Sequence, residues 1–178
     1  MAITVKRATA TFELCTDMEK VGDHEALSRQ LAEDRQRGVV DDRLTGNPLA
    51  RKITDLEKAM LESTVVFKIQ ALPRKVWAEL EAAHKPREGN ENDQQYGVNV
   101  STFIDAVLAL PGTVVSVTEK ASGESVPWVA TDWAGLADEL TDGQWTKVAL
   151  SVLALNRGRT EVPFNLAASL KTATSGEN

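Results

Sequence analysis

The chain has 178 residues, of which 42% are hydrophobic, 5% aromatic and 26% charged, and its formal net charge is −6. That length holds one ordinary domain, or a small domain with an appended arm, around an aliphatic core. The acidic balance argues against sequence-independent nucleic-acid binding, which needs clustered Lys and Arg, and the single cysteine, Cys15, excludes an intramolecular disulfide and a Cys-rich zinc site.

The start, Met1 to Arg7, lacks the apolar core of a signal peptide, and no apolar run reaches membrane-spanning length. A reducing cytoplasm is the expected setting, with no membrane partner. Residues 9–14 alternate apolar and polar and predict a short strand. Thr16 or Asp17 can cap the charge-dense helix that runs to Gly38, although Gly22 favours a start nearer Asp23. Its sparse apolar stripe of Met18, Val21, Leu27 and Leu31 predicts a helix mostly facing water. Asn47 before Pro48 is a good cap for a second helix, 48–61, with Leu49, Ile53, Leu56 and Met60 at helical spacing. The two helices suggest an αα-hairpin.

Residues 63–72 change period, and the face Val65, Phe67, Ile69, Ala71 predicts a strand that can pair with 9–14. Pro73 opens a helix through His84 carrying Val76, Trp77 and Leu80. Residues 85–97 are the most polar of the chain and predict a flexible loop. A helix then starts near Asn99 or Ser101 and stops at Pro111-Gly112; 113–117 is a short strand or an extended connector, and 121–125 a turn-rich loop. Two short apolar helices follow, capped near Thr131 or Asp132 and at Asp142, the second ending at Asn156-Arg157-Gly158. A last short helix is expected from Val162-Pro163-Phe164 to Leu170, then a disordered tail. The expected architecture is mostly helical α+β, with a short N-terminal strand pair, a helical arm and a C-terminal helical bundle, divided into a strand plus charged helical arm (1–63), a strand and helical bundle (64–170) and a disordered tail (171–178).

No set of side chains announces catalysis. His24 lies between Asp23 and Glu25, but neighbours in sequence point to different helix faces, so the trio forms no metal site by itself. His84 is expected to be a solvated surface histidine without a fixed partner. The acid pairs Asp41-Asp42, Glu91/Asp93 and Asp138-Glu139 read as solvated faces. No Gly-rich turn joins a strand to a helix with Lys-Ser/Thr, so no phosphate cradle is expected. Catalytic, cofactor and metal residues are therefore all expected to be none.

The tryptophans stand apart, because each is a large anchor in a chain with few aromatics. Trp133 and Trp145 lie twelve positions apart, one in each helix of the C-terminal pair. Trp145 shares a face with Val148, Ala149, Val152 and Leu155, while Leu150 and Leu153 add a second flank, so this helix should be central to the bundle and Trp145 core. Trp133, Leu136 and Leu140 share a face of the shorter helix. Trp133, nearer a helix start, is the better partner contact, within a candidate partner surface of Trp133, Leu136, Leu140 and Trp145.

The order of strand, Leu72-Pro73-Arg74-Lys75-Val76-Trp77 helix, polar linker, 99–110 helix, then Trp133…Leu140…Gly143-Gln144-Trp145…Leu155-Asn156 resembles the tail assembly chaperones of long-tailed phages, especially those infecting actinobacteria. The resemblance covers residues 64–157, and a charged N-terminal arm like that around Asp41-Asp42-Arg43-Leu44 is similar to one found in some members. It implies a non-enzymatic assembly factor with no cofactor. Such a factor would bind the tape measure protein and the tail tube protein in the host cell cytoplasm and be absent from the mature virion. The family is often made in two forms, the longer by a programmed frameshift, so a frameshifted longer form of the chain is a further implied partner. The rival readings are a structural head–tail or tail protein of the virion, an enzyme or inhibitor using a carboxylate pair, and a regulatory adaptor.

Overall fold

The computed structural model describes residues 6–38 and 47–158. The Asp41-Asp42-Arg43-Leu44 segment, the helix expected at 163–170 and the tail lie outside the described residues. Within them the chain is a mixed, mostly helical α+β fold built on a four-stranded antiparallel sheet.

The strands are β1 (Thr9–Cys15), β2 (Thr64–Gln70), β3 (Val114–Glu119) and β4 (Ser125–Val126), and sheet order follows chain order. Alternation explains the sheet directly. Phe12 pairs with Phe67, Phe67 with Val117, and Val117 with Val126, so one inward row crosses all four strands. The Phe12 and Phe67 rings stack at 5.0 Å, and Trp128 meets Phe67 edge-on at 5.0 Å. The next row, Thr11, Lys68 and Ser116, lies on the other face. A bulge opposite Lys68/Ile69 makes Val115 the extra residue, which leaves Val115 50% exposed while Val114 rejoins the packed face beside Ile69.

The expected strand pair is thus half of the sheet. The 113–117 segment is a true strand rather than a connector, and the turn-rich loop at 121–125 is the hairpin that returns β4 to it, with Gly123 at φ +74° taking the left-handed turn position. β4 is too short for periodicity to show. As the expected strand pairing implies, the sheet spans residue 63: β1 pairs with β2 along its length, and Phe12 and Leu14 belong to the same core as the C-terminal helices.

Between β1 and β2 the chain makes α1 (Met18–Gln36) and α2 (Pro48–Glu62), which pack on each other. Asp17 caps α1 by accepting from the Lys20 N–H, so the helix starts before Gly22 and not at Asp23. Asn47 caps α2 ahead of Pro48, as the sequence predicts. The pair stays wet: Leu31 is the buried residue of α1, and α2 has none. His24 meets Glu57 across the two helices at 3.3 Å.

The other helices are α3 (Arg74–Ala83), α4 (Glu91–Tyr96), α5 (Val100–Leu108), α6 (Asp132–Glu139) and α7 (Asp142–Arg157). The hub is α5, whose Phe103, Ile104, Val107 and Leu108 are all buried and which packs on α3, α4, α6 and α7. α7 lies against β1 and α5 and buries Val148, Ala149, Val152 and Leu153, but it leaves Leu150 open. Its all-round apolar sequence predicts a central helix; the central position goes to α5, because one side of α7 forms the wall of a cleft.

Candidate partner-binding cleft

The residues that carry the family resemblance do structural work one by one. Thr141 caps α7: its hydroxyl accepts from the Gln144 N–H while the Gln144 side chain accepts from the Thr141 N–H. The cap therefore falls one residue before the expected Asp142, because the partner glutamine stands three residues after Thr141. The Gln144 amide also donates to the Cys15 carbonyl at 2.8 Å, pinning the start of α7 to the end of β1. At the far end, Asn156 accepts from the Leu72 N–H at 2.8 Å and donates to the Val152 carbonyl at 2.9 Å. It serves an amide left over where β2 ends and α3 has not begun. Asn156→Ala leaves that amide without its side-chain partner and should cost about 1–2 kcal/mol, read as a lower urea midpoint at unchanged slope.

Trp133 and Trp145 converge on one atom. Both indole N–H groups point at Oδ1 of Asp105 on α5, Trp133 at 2.9 Å and Trp145 at 3.4 Å. Their surroundings differ. Trp133 is 0% exposed, whereas Trp145 is only half-buried. The expectation of Trp133 as the partner contact is overturned by its complete burial, while Trp145 packs against the core, as expected, and keeps part of its ring open. Trp133 sits one residue into α6, but the start of that helix is turned onto α5, so the ring goes inward and has no surface to offer. Leu136 and Leu140 are half-buried against the core. Of the four expected partner residues, Trp145 alone lines the cleft.

The cleft holds about 270 Å³ between α7 and the α4–α5 corner. One wall is Trp145, Ala149, Leu150 and Leu153, with Leu150 49% exposed. Tyr96 and Val100 face it, and Arg87, Asn90, Asn92 and Ser101 make its polar end. Sequence reasoning missed this polar end because residues 85–97 look like solvated loop. The loop instead contains α4, capped by Asn90 accepting from the Asp93 N–H and ended by Gly97 at φ +71°.

What holds α4 is Asp93, whose side chain is buried. It accepts from Arg87 Nε at 2.6 Å, Arg87 Nη2 at 3.0 Å and the Arg87 backbone N–H at 3.0 Å. It also accepts from the Val100 N–H at 3.2 Å, at the first turn of α5. The Arg87 side-chain hydrogen bonds, helped by both backbone N–H groups, hold the Asp93 carboxyl well below the usual carboxylate range against the opposing effect of burial. Arg87 Nη2 also reaches Ser101 Oγ at 3.0 Å. A fork spanning six residues was the available signal: Arg and Asp at that spacing, with Asn90 three before Asp93.

Arg157, the last residue of α7, closes the same corner by reaching the Tyr96 carbonyl, the Glu81 carboxylate at 2.6 Å and the Trp77 ring face at 5.7 Å. His84 does have a partner, Thr102 Oγ1 at 2.8 Å. Among the described residues no three of His, Cys, Asp and Glu converge as a metal site would need, and no helix is long and apolar enough to cross a membrane. The cleft pairs an aromatic–aliphatic wall with a rigid rim of hydrogen-bond donors, an arrangement suited to holding a peptide segment. No protein-family model, curated protein or solved structure matches the chain.

Proposed function

We propose that the chain is a tail assembly chaperone of a long-tailed phage. It would act in the host cytoplasm without enzymatic activity, covering apolar stripes on the tape measure protein and on tail tube subunits until the tube encloses them. The observation that carries this reading is the half-open wall of Trp145 and Leu150 on α7, inside the stretch that resembles the family. Burying such a wall contributes about 25 cal/mol per Å² of apolar surface. Ordering and association costs consume much of it, which suits a factor that must let go. The net charge of −6 limits self-association while the wall is empty.

Co-expression with the tape measure protein tests the reading. The tape measure should stay in the soluble fraction with the chain present and precipitate without it. Leu150→Glu puts a charge on the wall at a position the fold does not bury, so it should lose the rescue while its circular dichroism stays unchanged. Equal solubility of the tape measure with and without the chain would sink the proposal. Recovery of the chain at fixed stoichiometry in purified particles would favour a structural tail protein instead.

A further inference from the structure

We infer that the cleft is a docking site for this chain's own segment 161–166, Glu161-Val162-Pro163-Phe164-Asn165-Leu166, so that the protein covers its α7 wall when no partner does. Three observations lead there. First, the chain leaves α7 at the cleft's edge: Arg157 bonds to the carbonyl of Tyr96, which lines the cleft. There Gly158 turns extended (φ −59°, ψ 142°) with its N–H on the Ala154 carbonyl, and a Cβ would lie 2.4 Å from that oxygen, so the position calls for glycine.

Second, the reach is right. Leu150 lies seven residues back from Arg157 along the helix, about 10 Å. Phe164 lies seven residues beyond Arg157, and an extended chain of that length spans up to about 23–25 Å. Third, the chemistry matches end to end. Val162, Pro163, Phe164 and Leu166 offer an apolar cluster to a wall of Trp145, Ala149, Leu150 and Leu153. Glu161 is the one acid between residues 159 and 170, and the cleft's polar end presents the half-exposed side chain of Arg87, whose partner Asp93 has no exposed surface. Docking of the segment stands on these points whatever partner uses the cleft; only the consequence, that a tape measure segment must displace it, rests on the chaperone reading.

The test uses the full-length chain alone, with the photo-cross-linking residue p-benzoyl-phenylalanine replacing Phe164. On irradiation it should form intramolecular cross-links to peptides covering residues 145–153 or 92–101. Adding Leu150→Glu should lower their yield about tenfold, as the docked state becomes a minor population. Cross-links mapping elsewhere on the chain would overturn the inference, and so would cross-links formed only between two copies or a yield indifferent to Leu150→Glu. Because no tape measure protein is present, this outcome is independent of the solubility test.

Discussion

Trp133→Ala should lower the free energy of unfolding by about 3–5 kcal/mol, the range for truncating a large aromatic in a core. The ring is 0% exposed, and its N–H makes the shorter of the two bonds to Asp105, at 2.9 Å. Removing it opens a cavity at the α5–α6 contact and takes away that bond together with its packing. Trp145→Ala should cost less, about 1–2 kcal/mol, because part of the ring stays in water and less of its transfer energy is gained on folding. Urea denaturation of both variants at equal slope measures the difference. The result that would defeat this account is the reverse order, with Trp145→Ala the more damaging. Trp133→Phe separates the parts, since it keeps most of the packing and loses the hydrogen bond.

The two tryptophans show where sequence reading stops. Periodicity places both on apolar faces, correctly, but it cannot say which face of an all-round apolar helix is covered. The strip Val148, Ala149, Val152 and Leu153 is buried, and the turn that brings Leu150 outward is equally apolar. What breaks the tie is Asp105, whose position near both indoles depends on how α5 crosses α6 and α7. Nothing local to either tryptophan encodes that crossing.

Elements with a local cause were legible. The β2 alternation and the Asn47-Pro48 start follow from backbone sterics and capping, and the structure has both; α7 also ends at Arg157 as expected, but with Gly158 extended at φ −59° rather than in a left-handed cap. β4 was not, because two residues carry no period and pair only once β3 is in place. The polar segment 85–97 misled for a different reason. Composition reports that a segment will not bury apolar area, but α4 is held by charge-assisted hydrogen bonds instead. Of the expected partner residues only Trp145 lines the cleft; the wall opposite it, Tyr96 and the Arg87 rim, lies in the segment that composition reads as loop.

That rim gives the second large effect. Asp93→Ala should lower the melting temperature by about 5–10 °C at pH 7, the scale for breaking a buried pair in a chain of this size. The substitution leaves Arg87 facing an empty site and removes the acceptor at the first turn of α5. Asp93→Asn keeps the shape and one acceptor but cannot receive all four bonds, so it should fall between the two. The pH dependence has a definite sign. Asp93 titrates well below its ordinary value in the folded chain, whereas in the unfolded chain it titrates near about 3.9. The folded state therefore binds fewer protons at this site, and the stability it supplies is fully present above that unfolded value. As the pH falls below about 4 that stability is progressively lost, so wild type should lose more melting temperature between pH 7 and pH 3 than Asp93→Ala does. Parallel losses in the two proteins would mean that the carboxylate is not held as described. A cleft whose polar end is clamped by this fork should also loosen with it, so Asp93→Ala and acid should weaken whatever the cleft holds, through the same corner of α4 and α5.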